Sequence, residues 1–380
     1  MTQQTINIGS AANDGTGDPL RTSFVKTNAN FTELYAYAAP FDAMAYNGVQ
    51  LNGAMEVSQE LGTTGSNVAG KYLCDGWRLQ FSGTMILSGG IGAGGFPGFT
   101  SQLFLVTPTA QASLGANDFG CITQPIEGYR VGRLAWGTAY AQPITICFWS
   151  AHHRTGLYSG SVRNGANNRS YVFTYTQAAA DVGQYNIITI PGDAAGTWAT
   201  DNTTGLVLSL TMAAGTSITA SAANAWSAGA FIAAPGTINA VAATTDAFRI
   251  GGVIVLPGNE GPSAARSPFT MRSFDQELIT CQRYWRKNNS ATGIGGTATL
   301  VRMNVPHPGM RVAPTPSVAA AVAITDVYAS NPVQSAANVA IYANTADGGQ
   351  YDFGNFTGLT VGRVYVYLPN SSPLLLDARM

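Results

Sequence analysis

Charge is what this sequence has least of. Only 10% of its 380 residues are Asp, Glu, Lys or Arg, against about 25% in an average soluble domain. Nineteen basic residues face twenty acidic ones, and only three cations are lysines: Lys26, Lys71 and Lys287. With a net charge of −1 and no basic run, the chain lacks the electrostatic footprint of a nucleic-acid binder. No stretch nears the ~20 apolar residues of a membrane span, so no membrane insertion is expected. Met1 to Ser10 is polar, without the basic and apolar regions of a secretion signal. Cys74, Cys121, Cys147 and Cys281 are widely spaced and form no C-x-x-C. That pattern speaks against a disulfide framework or zinc ribbon, and for single buried thiols in a protein made in a reducing cytoplasm.

Small and polar residues fill the space that charge leaves. There are 44 glycines, and 46% of the chain is apolar, which is too hydrophobic and too neutral for disorder. Thr5 to Ile8 alternates, and Gly9 to Gly17 is turn-rich. Asp18 and Pro19 then make a helix start, with Asp as cap and Pro in the first turn. Leu20, Phe24, Phe31 and Leu34, with Thr27 in phase, form a two-heptad a/d seam. Asn28 and Asn30 weaken that helix, so packing against partner chains is expected to hold it. From Phe41 to about Arg272, short β-branched and aromatic runs alternate with Gly, Pro, Asn and Asp turns. Such a texture predicts an antiparallel β-sandwich or jelly roll. Ser273 to Gln276 reads as a capping box opening a helix over 273–287, with Phe274, Leu278, Cys281 and Trp285 on one face. Strand texture returns from Thr297 to Met380.

Motifs of known chemistry are thin. Gly90-Ile91-Gly92-Ala93-Gly94-Gly95 satisfies G-x-G-x-x-G, but Phe96-Pro97-Gly98 follows. No helix can start there to face a pyrophosphate, so a flexible loop is expected and no cofactor. The three histidines are His152, His153 and His307. Adjacent residues on a strand face opposite ways, so His152 and His153 make no ligand pair and are expected at a solvated strand end. No calcium-loop motif occurs, and no metal site is expected. A glycosidase needs two carboxylates flanking one bond. Asp181, Asp193 and Asp201 lie in turn-like contexts, while Asp246 and Glu260 stand alone, so no catalytic residue is assigned. Aromatics are the better lead, because sugars present apolar C–H faces ringed by hydroxyls. Tyr158 and Arg163 with Asn164, Asn167 and Asn168, or Trp136 with Arg133, combine a ring with polar groups near turns.

Two groups of residues carry a resemblance. Ile6-Asn7-Ile8-Gly9, Asn13 to Arg21, and Asn28 to Tyr35 resemble the N-terminal segment shared by many tailed-phage fibre, spike and appendage proteins. Asn52-Gly53-x-Met55-x-x-x-Gln59, followed by Tyr72-x-x-Asp75-x-Trp77, is similar to the opening of phage structural proteins with a carbohydrate-binding-module-like sandwich. Further matches are Phe148-Trp149-Ser150, Tyr158 to Arg163, Asn168 to Tyr171, Thr189 to Asp193, Glu277 to Tyr284, Val305 to Thr315 and Leu376 to Arg379. Gly76 stands where those proteins carry Arg.

The resemblance implies a mainly β chain in three parts. Residues 1–38 would be a virion-attachment and trimerisation segment, carried by Ile6, Ile8, Asp14, Asp18, Pro19, Leu20, Phe24, Phe31 and Leu34. Residues 39–289 would be the sandwich with the helix 273–287, and residues 290–380 a small C-terminal β-domain. It further implies a homotrimer in a phage virion, assembled in the host cytoplasm and contacting other virion proteins. The function implied is host-glycan binding, with Tyr158, Arg163, Asn164, Asn168 and Trp136 as candidate contacts. The alternatives are a decoration protein without a ligand and a polysaccharide depolymerase.

Overall fold

The alternating runs pair into two face-packed sheets in the computed structural model, which describes residues 4–11, 14–37, 48–326, 334–336, 338–368 and 372–380. One sheet holds β1 (Tyr72–Cys74), β2 (Trp77–Phe81), β5 (Phe119–Glu127), β7 (Gly156–Asn164), β8 (Arg169–Gln177), β10 (Thr204–Ala214) and β11 (Trp226–Ala228). Its order is β1-β2-β5-β10-β7-β8-β11. The other holds β3 (Ile86–Ala93), β4 (Ser101–Thr109), β6 (Ile144–Ser150), β9 (Gln184–Ile190) and β12 (Ala247–Pro257), ordered β3-β4-β12-β6-β9. Neighbouring strands are antiparallel. Period-two alternation turns Leu206, Leu208, Leu210 and Met212 of β10 inward, and they meet Ile146, Phe148, Phe248 and Ile250 in one core.

A second core lies in the C-terminal part, among Val301, Met303, Tyr351, Phe353 and Leu376. A three-stranded sheet, β13 (Trp285–Asn288), β22 (Leu374–Asp377) and β16 (Thr315–Val318), covers one side. The other side is β18 (Gln334–Ala336), β17 (Val322–Asp326), β21 (Val364–Tyr367), β14 (Thr292–Thr297), β15 (Leu300–Pro306), β20 (Gly348–Gly354) and β19 (Asn338–Thr345), in that order. Arginines join this part to the sandwich. Arg311 donates to the Ala378 carbonyl at 2.6 Å and to the Asn202 carbonyl at 2.8 Å. Arg379 pairs with Glu60 at 2.6 Å and with Asp377 at 2.5 Å.

Three helices complete the described residues: α1 (Leu20–Tyr37), the single turn α2 (Gly128–Val131) and α3 (Phe274–Gln282). Helix α3 is shorter than the predicted 273–287. Trp285 to Asn288 leave the helix and pair with β22 instead, where ladder hydrogen bonds satisfy their backbone and Trp285 is buried. Ser273 sits at the N-cap, but its hydroxyl goes to Asp275 Oδ1 at 2.5 Å rather than to a helix N–H. The Gly90 to Gly95 run is also a correction. Gly90, Gly92 and Ala93 belong to β3 rather than a loop, and a Cβ on Gly94 would collide with the Phe99 carbonyl.

At the N-terminus the extended segment before α1 folds back along it. Gln4 and Asn30 exchange two hydrogen bonds of 2.8 Å, and Lys26 Nζ reaches the Thr5 carbonyl at 3.0 Å. Asp18 does not cap the helix as expected. Its carboxylate accepts from the Asn7 N–H at 2.9 Å and from Lys26 Nζ at 2.6 Å. Asp14 closes the turn by accepting from the Ser10, Ala11 and Thr16 N–H groups, which hold its carboxyl well below the usual range. Leu20, Phe24 and Phe31 stay 74%, 59% and 52% exposed, and Ile8 is exposed while Ile6 is half-buried. The side chain of Leu34 lies outside the described ones.

Candidate functional site

The outward face of the larger sheet is where polar groups gather. Alternation sends Arg78 and Gln80 of β2 outward, with Cys121 and Thr123 of β5 opposite them. Ser209 of β10 and Ser161 of β7 pair across the same face, and Arg163 stands two residues beyond Ser161. The segment after β10 folds over half of this face. Ala220 and Ala234 pack on Val172, and Thr211 Oγ1 donates to the Ile232 carbonyl at 2.7 Å. The uncovered half is a groove of about 270 Å³, lined by Gln80, Phe119, Cys121, Thr123, Arg163, Asn167, Ile218, Ala230 and Ile232.

Arg163 is the one charged residue among those lining this groove. Nη1 donates to Asn167 Oδ1 and Nη2 to Ser209 Oγ, each at 3.1 Å. Nε has no partner, and neither has the buried Ser161 hydroxyl. Burial lowers the Arg163 guanidinium below its ordinary value, and the like charge of Arg78 adds to this. Burial pushes the Cys121 thiol up to about 11, so it stays neutral. Asn167 reaches Arg163 because it sits at φ 54° at the β7–β8 hairpin, a left-handed conformation that Asn tolerates. Ile218 and Phe119 supply apolar walls beside these polar groups.

The other residues singled out in the sequence take different places. Tyr158 is fully buried between the sheets, and its hydroxyl donates to the Arg154 carbonyl at 2.7 Å; this corrects its reading as a sugar platform. Asn164 is buried too, a second correction. Its amide holds Asn168 Oδ1 at 2.7 Å and the Thr197 carbonyl at 3.0 Å, closing the hairpin. Asn168 is exposed, but its side-chain oxygen and N–H are both engaged by Asn164. Trp136 is a third correction. Its ring meets Trp198 edge-on at 4.6 Å and Trp226 at 5.3 Å, with only 7% of the residue exposed. Arg169 and Asp193 lock the same cluster through hydrogen bonds of 2.8 and 2.7 Å.

His152 is a core residue, not a solvated strand end. It stacks on Phe248 at 3.9 Å and meets the Tyr175 hydroxyl at 3.0 Å, and burial drives its pKa well down. His153 is exposed and pairs with Asp181 at 2.7 Å. Asp246 is held by Arg154 at 3.0 and 2.9 Å. The four cysteines are free and buried, as expected. Among the described residues no three His, Cys, Asp or Glu side chains gather to hold a metal ion, and no helix is long and apolar enough to cross a membrane.

Most groove residues carried no sequence motif. Their signal is the polar half of each strand's alternation, as in Arg78-Leu79-Gln80 and Ser161-Val162-Arg163. The walls Ile218, Ala230 and Ile232 arrive from a distant segment, which no local pattern announces.

No family model matches this sequence, and no curated protein does. Three solved structures illustrate what the fold is similar to. A tailspike protein domain of bacteriophage CBA120 matches 56% of this chain at 13% identity and a TM-score of 0.31, over 22% of its own length. A family 11 carbohydrate-binding module of Clostridium thermocellum, in complex with a mixed-linked tetrasaccharide, matches 49% of this chain and 91% of itself at 9% identity and a TM-score of 0.27. A tandem of family 22 carbohydrate-binding modules from Paenibacillus barcinonensis matches 82% of this chain and 97% of itself, at 8% identity and a TM-score of 0.26.

Proposed function

We propose that the chain is a structural protein of a tailed-phage virion whose sandwich binds host-surface glycan. The groove around Arg163 carries the glycan part of this reading. Gln80, Thr123, Arg163 and Asn167 offer hydrogen-bond donors and acceptors beside Phe119 and Ile218, a mix that matches hydroxyls around an apolar sugar face. The virion part rests on the N-terminal segment's resemblance to phage appendages and on the exposed stripe Leu20, Phe24 and Phe31. A helix that leaves such a stripe in water gains by packing against copies of itself. Three joined chains, repeated over a virion, would multiply weak sugar contacts into firm adhesion.

The test is a bacterial polysaccharide array probed with the full chain and with a Thr123→Trp variant that fills the groove. Binding by the first and not the second is the expected result. A chain that binds no polysaccharide is a decoration protein instead. New reducing ends after incubation with a bound polysaccharide would move the reading to a depolymerase.

A further inference from the structure

Two grooves among the described residues are lined by an arginine on a strand, and the two arginines differ in their partners. In the C-terminal part, a groove of about 390 Å³ is lined by Thr292, Ile294, Arg302, Asn304, Gln350 and Val364. Arg302 there is neutralised by Asp352 through two hydrogen bonds of 2.8 and 3.0 Å. In the sandwich groove, Arg163 bonds only to the neutral side chains of Asn167 and Ser209. None of the nine lining residues is acidic. Arg78 adds positive charge on the same face, its guanidinium 2.7 Å from the Gln80 amide oxygen when that amide faces it.

A guanidinium withdrawn from water without a counter-ion is costly, and an incoming anion repays that cost. Buried beneath the groove, the Ser161 hydroxyl and Arg163 Nε have no partner either, so no group there offsets the charge that Arg163 presents. The rest of the molecule gives anions no general attraction, because the net charge is −1. Affinity for an anion would therefore be local to this groove. Resting on the glycan-binding reading above, we propose that the groove selects an acidic saccharide, with a sugar carboxylate seated against Arg163. Neutral rings of the same glycan would lie along Phe119, Ile218 and Thr123.

The experiment prints acidic capsule and O-antigen polysaccharides beside their carboxyl-reduced forms and beside sulfated polysaccharides, and probes them with the full chain. The expected result is binding to carboxylated glycans, a loss of about tenfold or more on carboxyl reduction, and weakening by salt. Arg163→Gln should match that loss while circular dichroism stays unchanged. Gln80→Glu, which places an acid in the groove and leaves Arg163 intact, should lower binding in the same direction. Equal binding of acidic and reduced forms, abolished by Thr123→Trp, overturns the acidic preference and leaves the glycan site standing. Equal binding of sulfated forms overturns the carboxylate assignment. Acidic binding indifferent to Arg163→Gln, Gln80→Glu and Thr123→Trp places the site elsewhere and overturns both. No polysaccharide bound at all overturns both as well.

Discussion

Arg283 and Glu127 lie 156 residues apart in the chain and are joined by hydrogen bonds of 3.0 and 2.6 Å. Tyr284 donates a third, 2.8 Å, to the same carboxylate. Glu127 ends β5 in the sandwich and is buried, whereas Arg283 follows α3 and is a third exposed. The contact therefore clamps the helix to the sandwich. Removing one member of a buried pair strands the other, at a cost of about 3–5 kcal/mol. The exposure of Arg283 points to the lower end. Glu127→Ala is expected to lose about 3 kcal/mol in urea unfolding, and a loss below about 1 kcal/mol would show that the pair does not hold α3.

Asp75 gives the chain a pH response. Its carboxylate is buried and accepts from Gln59 Nε2 at 2.5 Å and Gln59 N at 3.2 Å. Burial raises its pKa from 3.8 to about 6, the Gln59 bonds offsetting part of the rise. Between those values the folded chain holds a proton that the unfolded chain has released, so acidification stabilises the fold. From pH 7 to pH 4, wild type should gain on the order of 2 kcal/mol over Asp75→Asn. Parallel stability curves for the two proteins would refute this.

The tryptophan cluster is a stability element. Trp136→Ala opens a cavity beside Trp198 and Trp226, and a large aromatic lost from a core costs about 3–5 kcal/mol. Glycan affinity of the folded variant should change less than about twofold. A tenfold fall in affinity at unchanged melting temperature would return Trp136 to the role of sugar platform.

The stripe on α1 should control chain number. Wild type is expected to sediment at three times the 39.6 kDa chain mass. Phe24→Ser with Phe31→Ser should yield single chains with an unchanged β-sheet spectrum. A monomeric wild type would remove the trimer.

The fold was legible from texture, and the site only in part. The alternation of Leu206 to Met212 announces a strand with one buried face, because the side-chain period of a strand is two. The residues that carry the resemblance turn out to be joints. Asn52 donates to the Val57 and Asp75 carbonyls at 2.7 and 3.0 Å, while Trp77 donates to the Asn52 carbonyl at 3.1 Å. Arg311 and Arg379 fasten the C-terminal part. Such residues are conspicuous because their buried polar groups each need a particular partner. Of the candidate sugar contacts, Arg163 reaches the groove and Tyr158, Asn164 and Trp136 do not. Ring and amide types alone do not reveal which way a strand faces. Trp285 misled for a related reason: its spacing from Cys281 fits a helix, but tertiary pairing with Asp377 overrides the pattern.

The Asn52 joint also sets a timetable. Its N–H bonds to Glu277 Oε1 at 2.8 Å, across 225 residues. At about 5–20 residues per second of synthesis, the ribosome delivers that partner roughly 10–45 s after Asn52 emerges. Helix α1, with Phe24 and Phe31 exposed, is out even earlier. A nascent chain thus carries the exposed Phe24 and Phe31 on a finished helix while its sandwich is still waiting to close.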